Sequence, residues 1–462
     1  MGKYFGDDGY RGEVNLTINP VFLYKIGRFL GWRCKNNLGQ YTDVLPRIVI
    51  GIDTRRSSKM LESAVAAGIT ASGTDVYLLD IISTPAVAYI TKNHNFYYGV
   101  MITASHNPYF DNGIKIFTTD GEKADESLLL QIEEYIDRES DAFDNEDITP
   151  FARRDEIGRV IPYEAGPKAY KEFLLSKISA QSPLKVALDC SNGVSSLYAK
   201  EIFSNAAPAC RIINDSPNGI NINLDCGATH IECLRAFMRE NNMDIGFAFD
   251  GDADRCIVVD EAGEVLDGDQ LLYVLARYLD ANNRLKGNTV VGTLMTNIGL
   301  VHSLKKVGIN CELTAVGDRA VYQYMKKHDY ALGGENVGHI IFKDYATTGD
   351  GILSAIMILN VLSSTKKKLS SIAGEMKKYP HVCRNVITKY KREVVENMCV
   401  KREVERVKSA MGEKGRVVLR PSGIEDIVRV MVEHESQELC DQYAAEIEAV
   451  CVDTIKIIQQ ND

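Results

Sequence analysis

The sequence has no apolar run approaching the ~18 residues of a membrane-spanning helix, so no transmembrane segment is expected. The opening Met1-Gly2-Lys3-Tyr4-Phe5-Gly6 lacks the apolar centre of a secretory leader. Paired cysteines are missing too. The eleven cysteines in 462 residues are an odd number with no C-x-x-C spacing. That argues against a zinc ribbon or a disulfide framework and suits reduced thiols in the cytoplasm. Positive charge is in deficit: 53 Lys and Arg stand against 63 Asp and Glu, a net charge of −10. Nucleic acid is therefore not an expected partner, and neither is a membrane. A small phosphate ligand remains compatible, because the field inside a cleft is set by local arginines and lysines.

What is present is the composition of a globular protein, 45% hydrophobic and 25% charged. A single core stops growing near ~250–300 residues, so several domains are expected. Three stretches share one plan of strand, polar turn and helix. They are Arg47–Arg55 before Met60–Ala71, Lys185–Gly193 before Ser195–Phe203, and Thr289–Asn297 before Leu300–Val307. Alternation of this kind predicts α/β domains with mixed or largely parallel sheets. The last segment differs. Strand-like Val417–Leu419 and Ile427–Val432 flank a loop. A long helix then runs from about Glu438 to Ile458, with Tyr443, Ala444, Ile447, Cys451, Ile455 and Ile458 on one face. The fold expected is α/β: three similar α/β domains with mixed sheets plus a C-terminal α+β domain. Charged Arg138–Asp155 and lysine-rich Ser363–Leu369 mark two boundaries, giving domains at 1–153, 154–256, 257–368 and 369–462.

Four loops carry candidate chemistry. Thr103-Ala104-Ser105-His106-Asn107-Pro108 follows the buried-strand run Tyr97–Ile102. A serine at a strand-to-loop junction beside a histidine can act as nucleophile or phosphate carrier. Asp250-Gly251-Asp252-Ala253-Asp254-Arg255 follows the strand-like Ile245–Phe249. Alternate side chains of an extended segment share a side, so the three carboxylates are expected to converge. Hard oxygens with an incomplete shell suit Mg²⁺. A calcium EF-hand is the rival, since Glu261 falls at the twelfth position, but Arg255 stands where that loop needs glycine. A solvated acidic loop is the plainer alternative. Gly333-Gly334-Glu335-Asn336-Val337-Gly338-His339 offers Glu335 for vicinal sugar hydroxyls and His339 for a phosphate or a proton relay. Arg420-Pro421-Ser422-Gly423-Ile424-Glu425-Asp426, with Arg429, offers an anion nest.

In this order, the four loops resemble those of the α-D-phosphohexomutase superfamily, over essentially the whole chain. Lys3–Gly12, Asn107–Lys115, Val316–Arg319 and Asp344–Ile352 are similar to its bacterial phosphoglucosamine mutase branch. The resemblance implies four domains around a central cleft, the last able to rotate. It implies one Mg²⁺ per active site on Ser105, Asp250, Asp252 and Asp254, and phosphorylation of Ser105. Lys115 and Arg11 would serve charge stabilisation and proton transfer, with His106 beside the serine. Arg255, Glu335, His339, Arg420, Ser422, Gly423 and Arg429 would hold the substrate. The reaction implied converts glucosamine 6-phosphate to glucosamine 1-phosphate through a 1,6-bisphosphate, primed by a bisphosphate, in a monomer or homodimer. Phosphomannomutase, phosphoglucomutase and a non-catalytic sugar-phosphate sensor are the alternatives. Four departures from the family pattern fall in ligand-facing loops: Asp7 and Val337, and Ile424 with Asp426. Asp426 would repel a dianion if it faced the site.

Overall fold

The computed structural model describes residues 2–6, 8–36, 45–138, 150–422 and 426–461. The chain forms two compact units. One comprises Met1–Thr293 with Glu312–Gly374, the other Leu294–Cys311 with Glu375–Asp462. Among the described residues no helix is long and apolar enough to cross a membrane. None of the eleven cysteines forms a disulfide.

The first unit holds three sheets. In the first the strand order is Tyr10–Glu13, Asp111–Thr118, Phe96–Ile102, Leu45–Ile52, Asp75–Ile81, Val160–Pro162. The first two pairings are antiparallel and the other three parallel. Phe96–Ile102 is buried along its whole length, which is why its sequence is an unbroken apolar run rather than an alternating one. The edge strand Val160–Pro162 extends this sheet past residue 153. The second sheet runs Val265–Leu266, Cys256–Val259, Ile245–Phe249, Val186–Asp189, Arg211–Ile213 and is again mixed. Its two antiparallel strands carry it past residue 256. The third runs Asn310–Thr314, Thr289–Thr293, Leu332–Glu335, His339–Phe342, with a parallel centre and an antiparallel hairpin.

Each repeated strand is followed by a helix: Ser58–Ala71, then Ala199–Ala206 after a short 3₁₀ turn, then Ile298–Lys306. The third helix departs from the repeat. It belongs to the second unit. Asn297 caps it and also donates to the Tyr379 carbonyl at 2.9 Å and to Glu433 at 3.1 Å. Arg416 neutralises Glu433 at 2.6 Å. A buried carboxylate therefore ties this helix to the C-terminal module, a contact no local repeat can encode. In that module Ile427–His434 lies between His381–Ile387 and Gly415–Pro421, all antiparallel. The helix Gln437–Asn461 packs Ala444, Ile447, Cys451 and Ile455 into the core, with Tyr443 and Ile458 at its margin, on the face the 3–4 spacing predicts.

Asp350 is the N-cap of helix Gly351–Thr365, accepting from Leu353 N at 2.9 Å. Its other oxygen accepts from the buried Tyr170 hydroxyl at 2.8 Å. Burial lifts its carboxyl from an ordinary 3.8 to about 6, against the hydrogen bonds from Leu353 and Tyr170. The folded protein thus binds this proton more tightly than the unfolded chain. The associated stability is full below pH ~4 and is lost as pH rises through ~6, by at most about 3 kcal/mol. Asp350→Asn keeps the cap and removes the ionisation. Melting temperatures measured from pH 4 to 8 are expected to favour the variant increasingly between pH ~4 and ~6 and by a constant margin above that. Parallel curves for the two proteins would refute the assignment.

Candidate active site

Ser105 follows the buried strand Phe96–Ile102 and is itself fully buried. Its φ is +51°, a left-handed conformation that is uncommon for serine. Its Oγ donates to Asp250 Oδ2 at 2.5 Å. Its N–H donates to Thr103 Oγ1 at 2.9 Å, and Thr103 Oγ1 donates to Asp53 at 2.8 Å. His106 Nδ1 lies 3.4 Å from Ser105 Oγ.

Asp250, Asp252 and Asp254 each bring a carboxylate oxygen within 4.8 Å of the others, and all three are buried. They converge as expected, but not through an extended segment. The chain turns here, and Ala253 has φ +56°. Gly251 is required by close approach: a Cβ there would lie 2.6 Å from the Ser105 carbonyl oxygen. Strands Ile245–Phe249 and Cys256–Val259 flank the loop, where an EF-hand has helices. Glu261 instead accepts from the Ser370 hydroxyl.

The other charges arrive from elsewhere in the unit. Lys115, on strand Asp111–Thr118, donates to Asp252 Oδ2 at 2.8 Å and Asp254 Oδ2 at 2.7 Å. Thr84 also donates to Asp252 Oδ2. Arg255 N donates to Asp250 Oδ1 at 3.2 Å, and its Nε lies 3.8 Å from Asp254. These contacts leave Asp252 Oδ1 and Asp254 Oδ1 buried without a hydrogen-bond partner. Two orphaned carboxylate oxygens beside a third carboxylate fit a hard divalent cation.

Burial, and then the charges of Asp254 and Asp252, push Asp250 well above the usual carboxylate range. Asp254 moves the other way: burial opposes its charge, but Lys115 and His339 outweigh it. For Lys115, burial is overcome by Asp252, Asp254 and Asp8, so its ammonium is held charged. His106 is lowered to about 4 by burial and by Arg255 and Arg11, leaving a neutral imidazole beside the serine at pH 7.

Glu335 and His339 face each other across the hairpin of the third sheet, with His339 Nδ1 3.6 Å from Glu335. His339 Nε2 lies 3.6 Å from Asp318 and 3.8 Å from Asp254. Gly349 admits the imidazole, since a Cβ there would lie 1.9 Å from its Cδ2. Burial lowers the His339 pKa, but Asp318, Asp254 and Glu335 raise it further and prevail.

Known proteins resolve the identity of this arrangement. The description phosphoglucomutase/phosphomannomutase matches in four parts: alpha/beta/alpha domain I over 2–143, II over 168–263, III over 267–379 and the C-terminal domain over 360–450. The chain belongs to the phosphoglucomutase/phosphomannomutase family. It is a phosphosugar mutase, an isomerase. It is 45% identical over 457 residues to a phosphoglucosamine mutase of Lachnospira eligens, covering 99% of each chain. A solved phosphoglucomutase/phosphomannomutase family protein of Burkholderia thailandensis shares the fold with TM-score 0.78 and 21% identity, over 97% of this chain and 96% of that one. Aspergillus fumigatus N-acetylphosphoglucosamine mutase, solved with GlcNAc-6P and magnesium, does so with TM-score 0.69 and 16% identity, over 98% and 96%.

In this family member, the site brings Ser105, His106, Lys115, Asp250, Asp252, Asp254, Arg255, Glu335 and His339 together. Arg11 joins them through Asp8, to which it donates. Arg420 and Arg429 belong to the second unit, directly opposite each other on adjacent strands, a pairing that favours an anion. Ser422 N donates to Ile427 O at 2.9 Å beside them. Gly423 lies outside the described residues, as do the departures Asp7 and Ile424. Asp426 is exposed and pairs with Lys391 at 3.5 Å. Val337 is exposed at the hairpin tip between Glu335 and His339.

Sequence reasoning gave no role to Asp8, Lys123, Asp318 or Thr84. Asp8 and Asp318 sit in stretches that carry the family resemblance. Thr84 reads only as a helix start before Pro85, and Lys123 carries no signal at all. Lys123 bridges Asp8 and Asp318, the latter at 2.7 Å. A closed ring results: Asp254, Lys115, Asp8, Lys123, Asp318, His339 and back to Asp254. Lys123→Met leaves two carboxylates short of a counter-ion and is expected to cost about 3 kcal/mol in urea unfolding. Adding Asp318→Asn should restore part of that loss. A midpoint unchanged by Lys123→Met would show the ring to be dispensable.

Proposed function

We propose that this chain interconverts glucosamine 6-phosphate and glucosamine 1-phosphate through phosphorylated Ser105 and an enclosed 1,6-bisphosphate. The observation that carries the reading is Ser105 Oγ at 2.5 Å from Asp250, in a cluster with two unpartnered carboxylate oxygens. Full-length similarity to phosphoglucosamine mutases supports the choice of sugar. The phosphoryl group would leave Ser105 Oγ for the C1 hydroxyl oxygen: the Oγ–P bond breaks as the new P–O bond forms, and the C1 hydroxyl proton goes to the freed Ser105 Oγ. The C6 phosphoryl would then pass to Ser105 Oγ, whose proton goes to the freed C6 oxygen, leaving glucosamine 1-phosphate. Little covalent work falls to the protein in such transfers, so positioning and charge dominate.

Asp250, Asp252 and Asp254, with Ser105, would hold one Mg²⁺, the ion named with the Aspergillus fumigatus relative. When bound, it would supply charge neutralisation at the transferring phosphoryl group. Lys115, held charged, and Arg255 would face the same group, while Arg11 and His106 stand beside it. Glu335 and His339 would orient the sugar. Arg420, Ser422, Gly423 and Arg429 would hold the phosphate that is not reacting. Each end of the bisphosphate must in turn occupy that place. A cytoplasmic location belongs to the same reading and is supported by the scattered cysteines, none of them in a disulfide.

Ser105→Ala is expected to fold and to lose turnover by at least about 10³-fold, since the phosphoryl carrier is gone. Full turnover by this variant would sink the carrier role. Chelator, or Asp252→Ala, is expected to abolish turnover of the primed enzyme, with activity restored by Mg²⁺ only in the chelated wild type. The substrate choice is tested with primer and the 6-phosphates of glucosamine, glucose, mannose and N-acetylglucosamine. Glucosamine 6-phosphate is expected to give the highest kcat/KM. A tenfold or greater preference for mannose or glucose would move the chain to the phosphomannomutase or phosphoglucomutase reading. Binding without turnover would favour a sensor.

A further inference from the structure

Ser105 must present its Oγ to two successive reactions from a left-handed backbone, φ +51°. Local bonds, from Ser105 N–H to Thr103 Oγ1 at 2.9 Å and from Asn107 N–H to the Ala104 carbonyl at 3.0 Å, leave the Ser105 carbonyl unheld, and a further restraint reaches that carbonyl from outside the loop. Its source is Arg55, at the polar turn after strand Leu45–Ile52. The Arg55 guanidinium is fully buried and paired with Asp53 at 2.8 Å. It donates to the carbonyls of Ser105 at 2.9 Å, Asn107 at 2.8 Å and Asp111 at 3.1 Å, and also to that of Pro108. One rigid fork thus gathers four carbonyls of the serine loop, a geometry that a lysine ammonium cannot reproduce. Asn223, on a loop between the strands of the second sheet, donates to the carbonyls of Ser105 at 2.9 Å and Asn107 at 3.2 Å. Both lone pairs of the Ser105 carbonyl are therefore occupied, by donors from two different modules. The metal-loop backbone at Gly251 closes the third side.

We propose that Arg55 and Asn223 are positioning residues for phosphoryl transfer, aiming Ser105 Oγ at the acidic triplet; this rests on the reading of Ser105 as the phosphate carrier. Neither side chain is bonded to Oγ, so neither is a catalytic residue. Their action is through the Ser105 carbonyl. The charge of Arg55 is balanced by Asp53, itself fixed by Ser58 Oγ at 2.7 Å and Thr103 Oγ1 at 2.8 Å, so the clamp adds alignment without adding field. A displacement of the order of 1 Å at a reacting atom can lower the rate about 10²-fold while leaving the substrate's other contacts in place.

The test compares Arg55→Lys and Asn223→Ala with wild type. Asn223→Ala removes two hydrogen bonds and no charge, and so remains informative if Arg55→Lys folds poorly. For each protein, kcat and KM are measured on whichever hexose phosphate the wild type turns over best. The rate of Ser105 phosphorylation by glucose 1,6-bisphosphate is followed by intact mass. Melting temperature gives the folded fraction. We expect kcat per folded enzyme to fall about 10²-fold in Arg55→Lys and about tenfold in Asn223→Ala, with KM within twofold of wild type. Ser105 phosphorylation should slow in parallel. A merely structural role would lower the melting temperature and leave kcat and phosphorylation of the folded fraction unchanged, and that result would overturn the proposal. A wild type active on another sugar leaves this comparison intact and corrects only the substrate. A wild type that cannot be phosphorylated at Ser105 brings down both readings.

Discussion

Three buried carboxylates within 4.8 Å of one another are the constraint around which the first unit is built. Such a cluster is costly unless charge of the opposite sign reaches it. Lys115 supplies one charge from the first sheet, and Arg255 supplies another from the loop itself. The two oxygens that remain unpartnered mark where further positive charge belongs. Bonds from Thr84, Lys115 and Ser105 hold the three carboxylates in a geometry that could accept a metal ion.

The same demand for neutralisation spreads outward. Lys115 needs Asp8 as well as the triplet, Asp8 needs Lys123, and Lys123 needs Asp318, which faces His339. The members come from different elements: Lys115 from an interior strand of the first sheet, Asp318 from the first turn of a helix, His339 from the edge strand of the third sheet, and Asp8, Lys123 and Asp254 from loops. Around the ring, the strand Asp111–Thr118, the Asp250–Arg255 loop and the Glu335–His339 hairpin are held in register by ion pairs in a poorly hydrated setting, where Coulomb attraction is strong. Backbone restraint complements it: Arg55 and Asn223 fix the serine loop from behind while the ring fixes the side chains in front.

Some of this was legible in the residues. The strand Ile245–Phe249 and the long terminal helix follow from apolar runs and 3–4 spacing. Ser105 and the Asp250–Asp254 triplet were legible because small residues between reactive ones at a strand end have few other uses. Other features were not. The triplet converges through a turn with Ala253 left-handed, because packing of Gly251 on Ser105 overrides the local preference for extended chain. The helix Ile298–Lys306 joins the C-terminal module because Glu433 and Arg416 lie more than a hundred residues away in sequence.

The sequence by itself determined the local chemistry: which loops carry hydroxyl, carboxylate and guanidinium groups, and which segments alternate as strand and helix. It did so because propensity and periodicity act over a few residues. Only the tertiary structure decided the partners. Lys123 and Asp318 are 195 positions apart, and Asn223 and Ser105 are 118 apart. Pairing at that range depends on how whole sheets are stacked, and a buried charge or carbonyl selects its partner only once burial has removed water as the alternative.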